Sequence, residues 1–145
     1  MCQLLDLKQY KFLVYGLGST GKSVVNFFKK KKIKNFFVWD DKVSLKNEYK
    51  NKTNINIKKI LKEVDFIVLS PGVSLINNKT LSKFKKKIIT DIDLLYLNNA
   101  NLNSIIITGS NGKSTTSKII AHLLKKNKKR RSFISPPFSK SSLFW

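Results

Sequence analysis

Carboxylates are scarce in this chain of 145 residues. Eight Asp and Glu stand against 29 Lys and Arg, and no acidic residue follows Asp93. The single cysteine, Cys2, excludes an internal disulfide and fits a reducing compartment. No run of 18 apolar residues occurs, so no segment reads as a membrane-spanning helix. Residues 1–11 lack the basic-then-apolar layout of a secretory signal, which makes the cytoplasm the expected location. Arginine is almost missing too: only Arg130 and Arg131 occur, and every other basic residue is lysine. Groove readers and phosphate clamps lean on arginine's planar fork. The formal charge of +21 therefore reads as a solvated lysine surface spread over every polar segment, with no specific nucleic-acid site. A basic nucleic-acid adaptor is the weakest of the functional alternatives, and it requires tight binding that persists at raised salt.

What is present alternates. Apolar runs at 11–15, 35–39 and 65–69 predict buried strands, and Ile88-Ile89-Thr90 predicts a short one. Between them, helical spacing predicts a helix at 23–32, one around Ile57, Ile60, Leu61 and Val64, and a short one at Leu81 and Phe84. Another is predicted at 91–97, while the polar stretch 42–55 reads as loop. Strands alternating with helices imply an α/β fold with a parallel sheet and right-handed crossovers. Ligands of such sheets sit beyond the carboxyl ends of the strands. Three turn motifs fall there and are expected to meet in one crevice: residues 16–21, Asp40-Asp41-Lys42 and Ser70-Pro71-Gly72.

A fourth motif is the most informative. Thr108-Gly109-Ser110-Asn111-Gly112-Lys113-Ser114-Thr115 follows the strand-like run 104–107 and opens a helix predicted at 113–125. A strand turning through glycines into a helix aims several N–H groups at one anion site. Lys113 adds a charge for the β- and γ-phosphates, and the Ser114 hydroxyl is a candidate Mg²⁺ ligand. The spacing is shorter than in the usual phosphate loop, whose first glycine would fall at Ile107. The acidic residue that normally completes the Mg²⁺ site from a later strand is missing, so the chain carries half an ATP site.

Gly16-x-Gly18-x-x-Gly21, with Asp40 about twenty residues on, matches the dinucleotide fingerprint. Three readings remain: an NAD or FAD site, a turn needed only for packing, or a site for another nucleotide diphosphate. The second nucleotide loop favours the last, since a dehydrogenase does not need it. Lys22-Ser23 mimics Lys113-Ser114 by coincidence and reads as a solvated helix turn. Asp91 and Asp93 read as caps of the helix that starts there, His122 as a surface or packing residue, and Cys2 as part of a frayed terminus.

Taken in order, Gly-Leu-Gly-x-Thr-Gly at 16–21, Asp40-Asp41, Ser70-Pro71-Gly72 and the 108–115 loop resemble the Mur ligases of peptidoglycan synthesis. The resemblance is to their D-glutamate-adding branch. Asp91-Ile92-Asp93 is similar to the acidic segment those ligases carry before their linker. The resemblance implies a Rossmann-like UDP-binding domain at 1–97, then a linker and the opening of a P-loop ATP-binding domain at 98–127. It implies UDP contacts at Gly18, Ser19, Thr20, Gly21, Asp40, Asp41, Lys42, Ser70, Pro71 and Gly72. Family members often carry a hydroxyl residue and Arg where Asp41 and Lys42 stand. It further implies ATP contacts at Gly109, Ser110, Asn111, Gly112, Lys113, Ser114 and Thr115, with Lys113 catalytic and Ser114 on the metal. The implied partners are ATP, Mg²⁺, UDP-N-acetylmuramoyl-L-alanine and D-glutamate, in a monomer. The resemblance stops near Asn127. Where the family continues with a Gly-Asn-Ile-Gly-like loop, this chain has Ile134-Ser135-Pro136-Pro137. The expectation is an inactive fragment whose tail, 128–145, is out of frame after the lysine run at 125–129. The functional alternative is a free-standing NAD(H)-binding module.

Overall fold

The computed structural model describes residues 6–46, 49, 56–75, 78–99 and 105–126. Cys2 and the tail 128–145 lie outside them. The chain divides into two compact units, Met1–Asn101 and Leu102–Trp145.

The first unit is a four-stranded parallel sheet in the order β2-β1-β3-β4. Its strands are β1 (Phe12–Tyr15), β2 (Phe36–Trp39), β3 (Phe66–Leu69) and β4 (Ile88–Ile89). Each begins on the first apolar residue of its run, so Lys11, Asn35 and Asp65 stay exposed just outside. β1 is central, and Phe12, Leu13 and Val14 are buried completely, as a strand covered on both faces requires.

Helix α1 (Ser19–Lys30) covers one face. Its Phe28 ring lies 4.9 Å from Phe12 and 5.3 Å from Phe36. Leu13 and Tyr15 point the other way, into a cluster with Leu61, Ile67, Leu69 and Leu81. Those residues come from β3, α3 (Ile57–Glu63) and α4 (Lys79–Ser82). The stretch expected as loop at 42–55 contains one helical turn, α2 (Val43–Lys46).

The helix ends are specified locally. α1 closes with Ile33 N–H donating to Phe28 O (2.9 Å) and Lys32 N–H to Lys29 O (3.1 Å), while Lys32 takes the left-handed conformation at φ 57°. α5 (Asp91–Asn98) opens with a capping box: Thr90 Oγ1 accepts from Asp93 N–H, and the Asp93 carboxylate accepts from Thr90 N–H. The capping role expected of Asp93 is thus observed. One cap was not legible in the sequence. The Lys87 ammonium donates to Lys62 O (2.8 Å) and Val64 O (2.6 Å) at the carboxyl end of α3. A cation there satisfies carbonyls the helix cannot and opposes its dipole. Lys87→Met is expected to lower stability by about 1–2 kcal/mol, read as a drop in urea midpoint at unchanged slope.

The second unit departs from expectation. Residues 105–109 carry no strand, and Ile105 and Ile106 are 61% and 83% exposed. A parallel strand exists only through hydrogen bonds to a neighbour, and the described residues of this unit provide none. The predicted helix does form, as α6 (Lys113–Lys126), with no buried residue. His122 is exposed on it.

Candidate nucleotide-binding site

The strand order places the switch point between β1 and β3, whose connections leave toward opposite edges of the sheet. The turn there is tightly braced. Gly16 N–H donates to Trp39 O (2.7 Å), Ser70 N–H to Tyr15 O (3.0 Å) and the Ser70 hydroxyl to Gly16 O (2.8 Å). Ser70 is buried, so its side chain supports the turn, while Pro71 and Gly72 stand exposed beyond it. Gly16 has φ +95°, and a Cβ there would sit 2.8 Å from Ser70 Cβ. A Cβ on Gly21 would fall 1.9 Å from Gly16 O. Both glycines are demanded by packing, which lets the first turn of α1 lie directly on the end of β1.

Gly18 differs. A Cβ there would meet nothing within 4 Å. It is the N-cap of α1 and supplies no side-chain hydrogen bond to the helix. The first-turn amides of Ser19, Thr20 and Gly21 have no intrahelical acceptors, and no acidic residue occupies that turn. The helix starts at Ser19, four residues before the start expected at Ser23. Packing of Gly21 on Gly16 outweighs the low helix propensity of the Gly-Ser-Thr-Gly segment.

At the end of β2 the two aspartates separate. Asp40 is 9% exposed, and its oxygens accept from Leu17 N–H (2.6 Å) and Lys42 N–H (2.8 Å). It ties the first turn to the second. Asp41 is exposed and takes the Tyr15 hydroxyl (2.9 Å) and the Trp39 indole N–H (3.3 Å) on Oδ1. Tyr15 accepts from the Asn78 amide at 3.0 Å. Tyr15, Trp39, Asp41, Asn78, Leu61 and Leu81 line a cavity of about 160 Å³. Tyr15, Trp39 and Asn78 were missed as site residues. A strand tyrosine and a helix-capping asparagine carry no local signal that they meet a carboxylate.

Burial, reinforced by the Asp41 carboxylate, pushes the Tyr15 hydroxyl up from 10.0 to about 12. The folded state thus holds this proton more tightly than the unfolded one. The resulting stability is fully present below pH 10 and lost as pH rises to 12. Tyr15→Phe is expected to flatten the fall in stability across that window, measured by urea titrations at several alkaline pH values.

In the second unit, Gly109 and Gly112 both have positive φ, +145° and +76°. The Lys113 ammonium folds over the loop, donating to Gly109 O and to Ser110 O (3.0 Å). Thr116 N–H donates to Gly112 O at 2.9 Å, so the amides of the first turn before it have no helical acceptor. Ser110, Asn111, Ser114 and Thr115 are exposed. Among the described residues no three His, Cys, Asp or Glu cluster to hold a metal. The one metal-ligand candidate expected in this unit, the Ser114 hydroxyl, is exposed, and the unit's sequence carries no carboxylate. Among the described residues no helix is long and apolar enough to cross a membrane.

A parallel sheet with a braced glycine turn at the switch point and an uncapped helix start beside it defines a Rossmann-like α/β domain. The comparisons narrow this. Residues 10–92 match the family described as Mur ligase MurD-like, N-terminal domain. The UDP-N-acetylmuramoylalanine–D-glutamate ligase of Rickettsia prowazekii (strain Madrid E) is 39% identical over 127 residues, covering 83% of this chain and 28% of the relative. The same-named ligase of Francisella philomiragia is 38% identical over 119 residues, 79% of this chain and 26% of its own length. That of a Wolbachia species from Brugia malayi is 37% identical over 135 residues, or 85% and 27%. The chain belongs to the MurD-like Mur ligase family and spans just over a quarter of the length of these relatives.

Proposed function

We propose that the first unit binds the UDP moiety of UDP-N-acetylmuramoyl-L-alanine, and that the loop at 109–115 binds ATP phosphates. Both would serve a ligase that adds D-glutamate to this precursor in peptidoglycan synthesis. The observation that carries the reading is the start of α1. Gly18 leaves open space where its side chain would stand, and the amides of Ser19, Thr20 and Gly21 lie uncapped, in a chain whose relatives are named for a UDP-linked substrate. A diphosphate there would gain several charge-assisted hydrogen bonds. Lys42, Pro71 and Gly72 are exposed at neighbouring strand ends and complete the contact surface.

In the reaction the substrate carboxylate attacks the γ-phosphoryl group of ATP, releasing ADP and forming an acyl phosphate. The amine of D-glutamate then displaces phosphate through a tetrahedral intermediate. Lys113, now spread over the loop carbonyls, would turn its charge to the transferring phosphoryl group. Ser114 would add one oxygen to a magnesium ion brought in by ATP, which supplies charge neutralisation. A cytoplasmic monomer fits this role. Calorimetric titration of the whole chain with UDP-N-acetylmuramoyl-L-alanine, UDP and NADH tests the reading. The two uridine ligands are expected to bind and NADH to bind more weakly; preference for NADH would refute it.

A further inference from the structure

The fold sorts the lysines that the sequence spreads over every polar segment. All four strands of the first unit are parallel, and the register brings the segments that enter them to one end of the sheet. Those segments, 6–11, 31–35, 62–65 and 83–87, hold ten lysines against three carboxylates. The segments that leave the strands, 16–18, 40–42, 70–72 and 90–93, hold one lysine and four aspartates. The sheet is thus polarised, basic at its amino end and acidic at the end that carries the glycine turn. The few acids at the basic end are occupied. Asp65 accepts from Lys11 N–H (2.7 Å), Asp6 from Lys8 N–H (3.1 Å), and Glu63 pairs with Lys59 along α3 (3.8 Å). Lys11, Lys31, Lys62, Lys85 and Lys86 are exposed, and among the described residues no partner engages their ammonium groups. The dipoles of α1 and α3 end here and account for Lys30 and Lys62 in their last turns; Lys11, Lys85 and Lys86 lie outside those turns.

We propose that this basic end docks on an anionic lipid bilayer and holds the protein peripherally, with the carboxyl ends of the strands facing solution. The proposal stands independently of the uridine reading. The kind of charge selects the partner. Lysine ammoniums on flexible stems are compact, strongly hydrated point charges, which suit a continuous layer of headgroup phosphates. Nucleic acid favours arginine forks and open aromatic faces on which bases stack. The first unit contains no arginine. The two aromatics in the entering segments are packed, Tyr10 edge-on to Phe66 at 5.3 Å and Phe84 under the Lys87 ammonium at 5.9 Å. Four adjacent strands spread the charges over about 14 Å, wide enough to meet several headgroups at once. In this orientation the proposed uridine site faces away from the bilayer and stays open to its ligand.

The test is co-sedimentation of the whole chain with vesicles of phosphatidylglycerol and phosphatidylcholine in equal parts, and with phosphatidylcholine alone. Binding is expected on the anionic vesicles only. It should be lost in about 1 M salt, where the screening length falls to about 3 Å. Lys11→Gln/Lys31→Gln/Lys85→Gln takes one charge from each of three loops. Each lysine near such a surface is worth roughly fivefold in partition, so this triple should bind roughly a hundredfold more weakly at an unchanged melting temperature. Lys118→Gln/Lys125→Gln/Lys126→Gln removes the same net charge from exposed positions of α6 and should lose less than about fivefold. Equal losses in the two triples would overturn the proposal, since attraction would then follow net charge alone. So would a wild type with no preference for the anionic vesicles. Tighter binding to a duplex oligonucleotide than to those vesicles, lost in the first triple, would also overturn it and make nucleic acid the partner.

Discussion

Gly21→Ala is expected to destabilise the first unit by on the order of 3 kcal/mol or more, lowering its melting temperature by roughly 12–20 °C. The added methyl would lie 1.9 Å from Gly16 O, a backbone atom that cannot swing aside. Relief requires α1 to lift from β1, which would loosen Phe27 and Phe28, both fully buried. Gly18→Ala provides the contrast, since its methyl meets nothing within 4 Å. Its melting temperature should fall by only a few degrees, because alanine is a poorer N-cap than glycine. Its affinity for UDP should nonetheless drop at least about tenfold, because the methyl enters the space through which the diphosphate reaches the helix amides. Calorimetric melting and UDP titration of both variants separate the packing glycine from the binding glycine.

Asp40→Ala is expected to cost about 2–4 kcal/mol and to abolish measurable UDP binding at neutral pH. Two charge-assisted hydrogen bonds disappear, and the buried Leu17 N–H is left without an acceptor. The effect on binding follows from the same geometry: Leu17 immediately precedes the N-cap of α1, so freeing it releases the helix start. Asp40→Asn keeps an acceptor for one amide and should recover part of both losses. Urea unfolding monitored by tryptophan fluorescence, paired with titration, measures the two effects together.

The strands and most of the helices could be read from the sequence because each run of buried residues is bounded by a polar one. The runs starting at Lys11, Asn35 and Asp65 lose only that first exposed residue in the structure. The start of α1 was misread because Gly18-Ser19-Thr20-Gly21 looks like a turn, and only the contact of Gly21 with Gly16 makes its last three residues helical. Of the strand expected at 104–107, the described residues 105–107 form none, for the complementary reason. Isoleucines favour a strand, but propensity cannot replace a neighbour to pair with. Around the candidate site, the turn motifs fall at the strand ends where they were expected, but the sequence did not reveal which members brace the turns. Ser70, Gly16 and Asp40 spend their polar groups or their missing side chains on one another's turns. Tyr15 meets Asp41 and Asn78 across long stretches of chain, a juxtaposition set by the parallel register.

The most direct measurement is a map of backbone amide shifts in ¹⁵N-labelled protein as UDP is added. If the start of α1 holds the diphosphate, the largest shifts fall on Ser19, Thr20 and Gly21, followed by Asp41 and Lys42, while β4 and α5 stay still. Saturating UDP that leaves the amides of Ser19, Thr20 and Gly21 unmoved, or perturbs only residues away from the ends of β1 and β2, would contradict it.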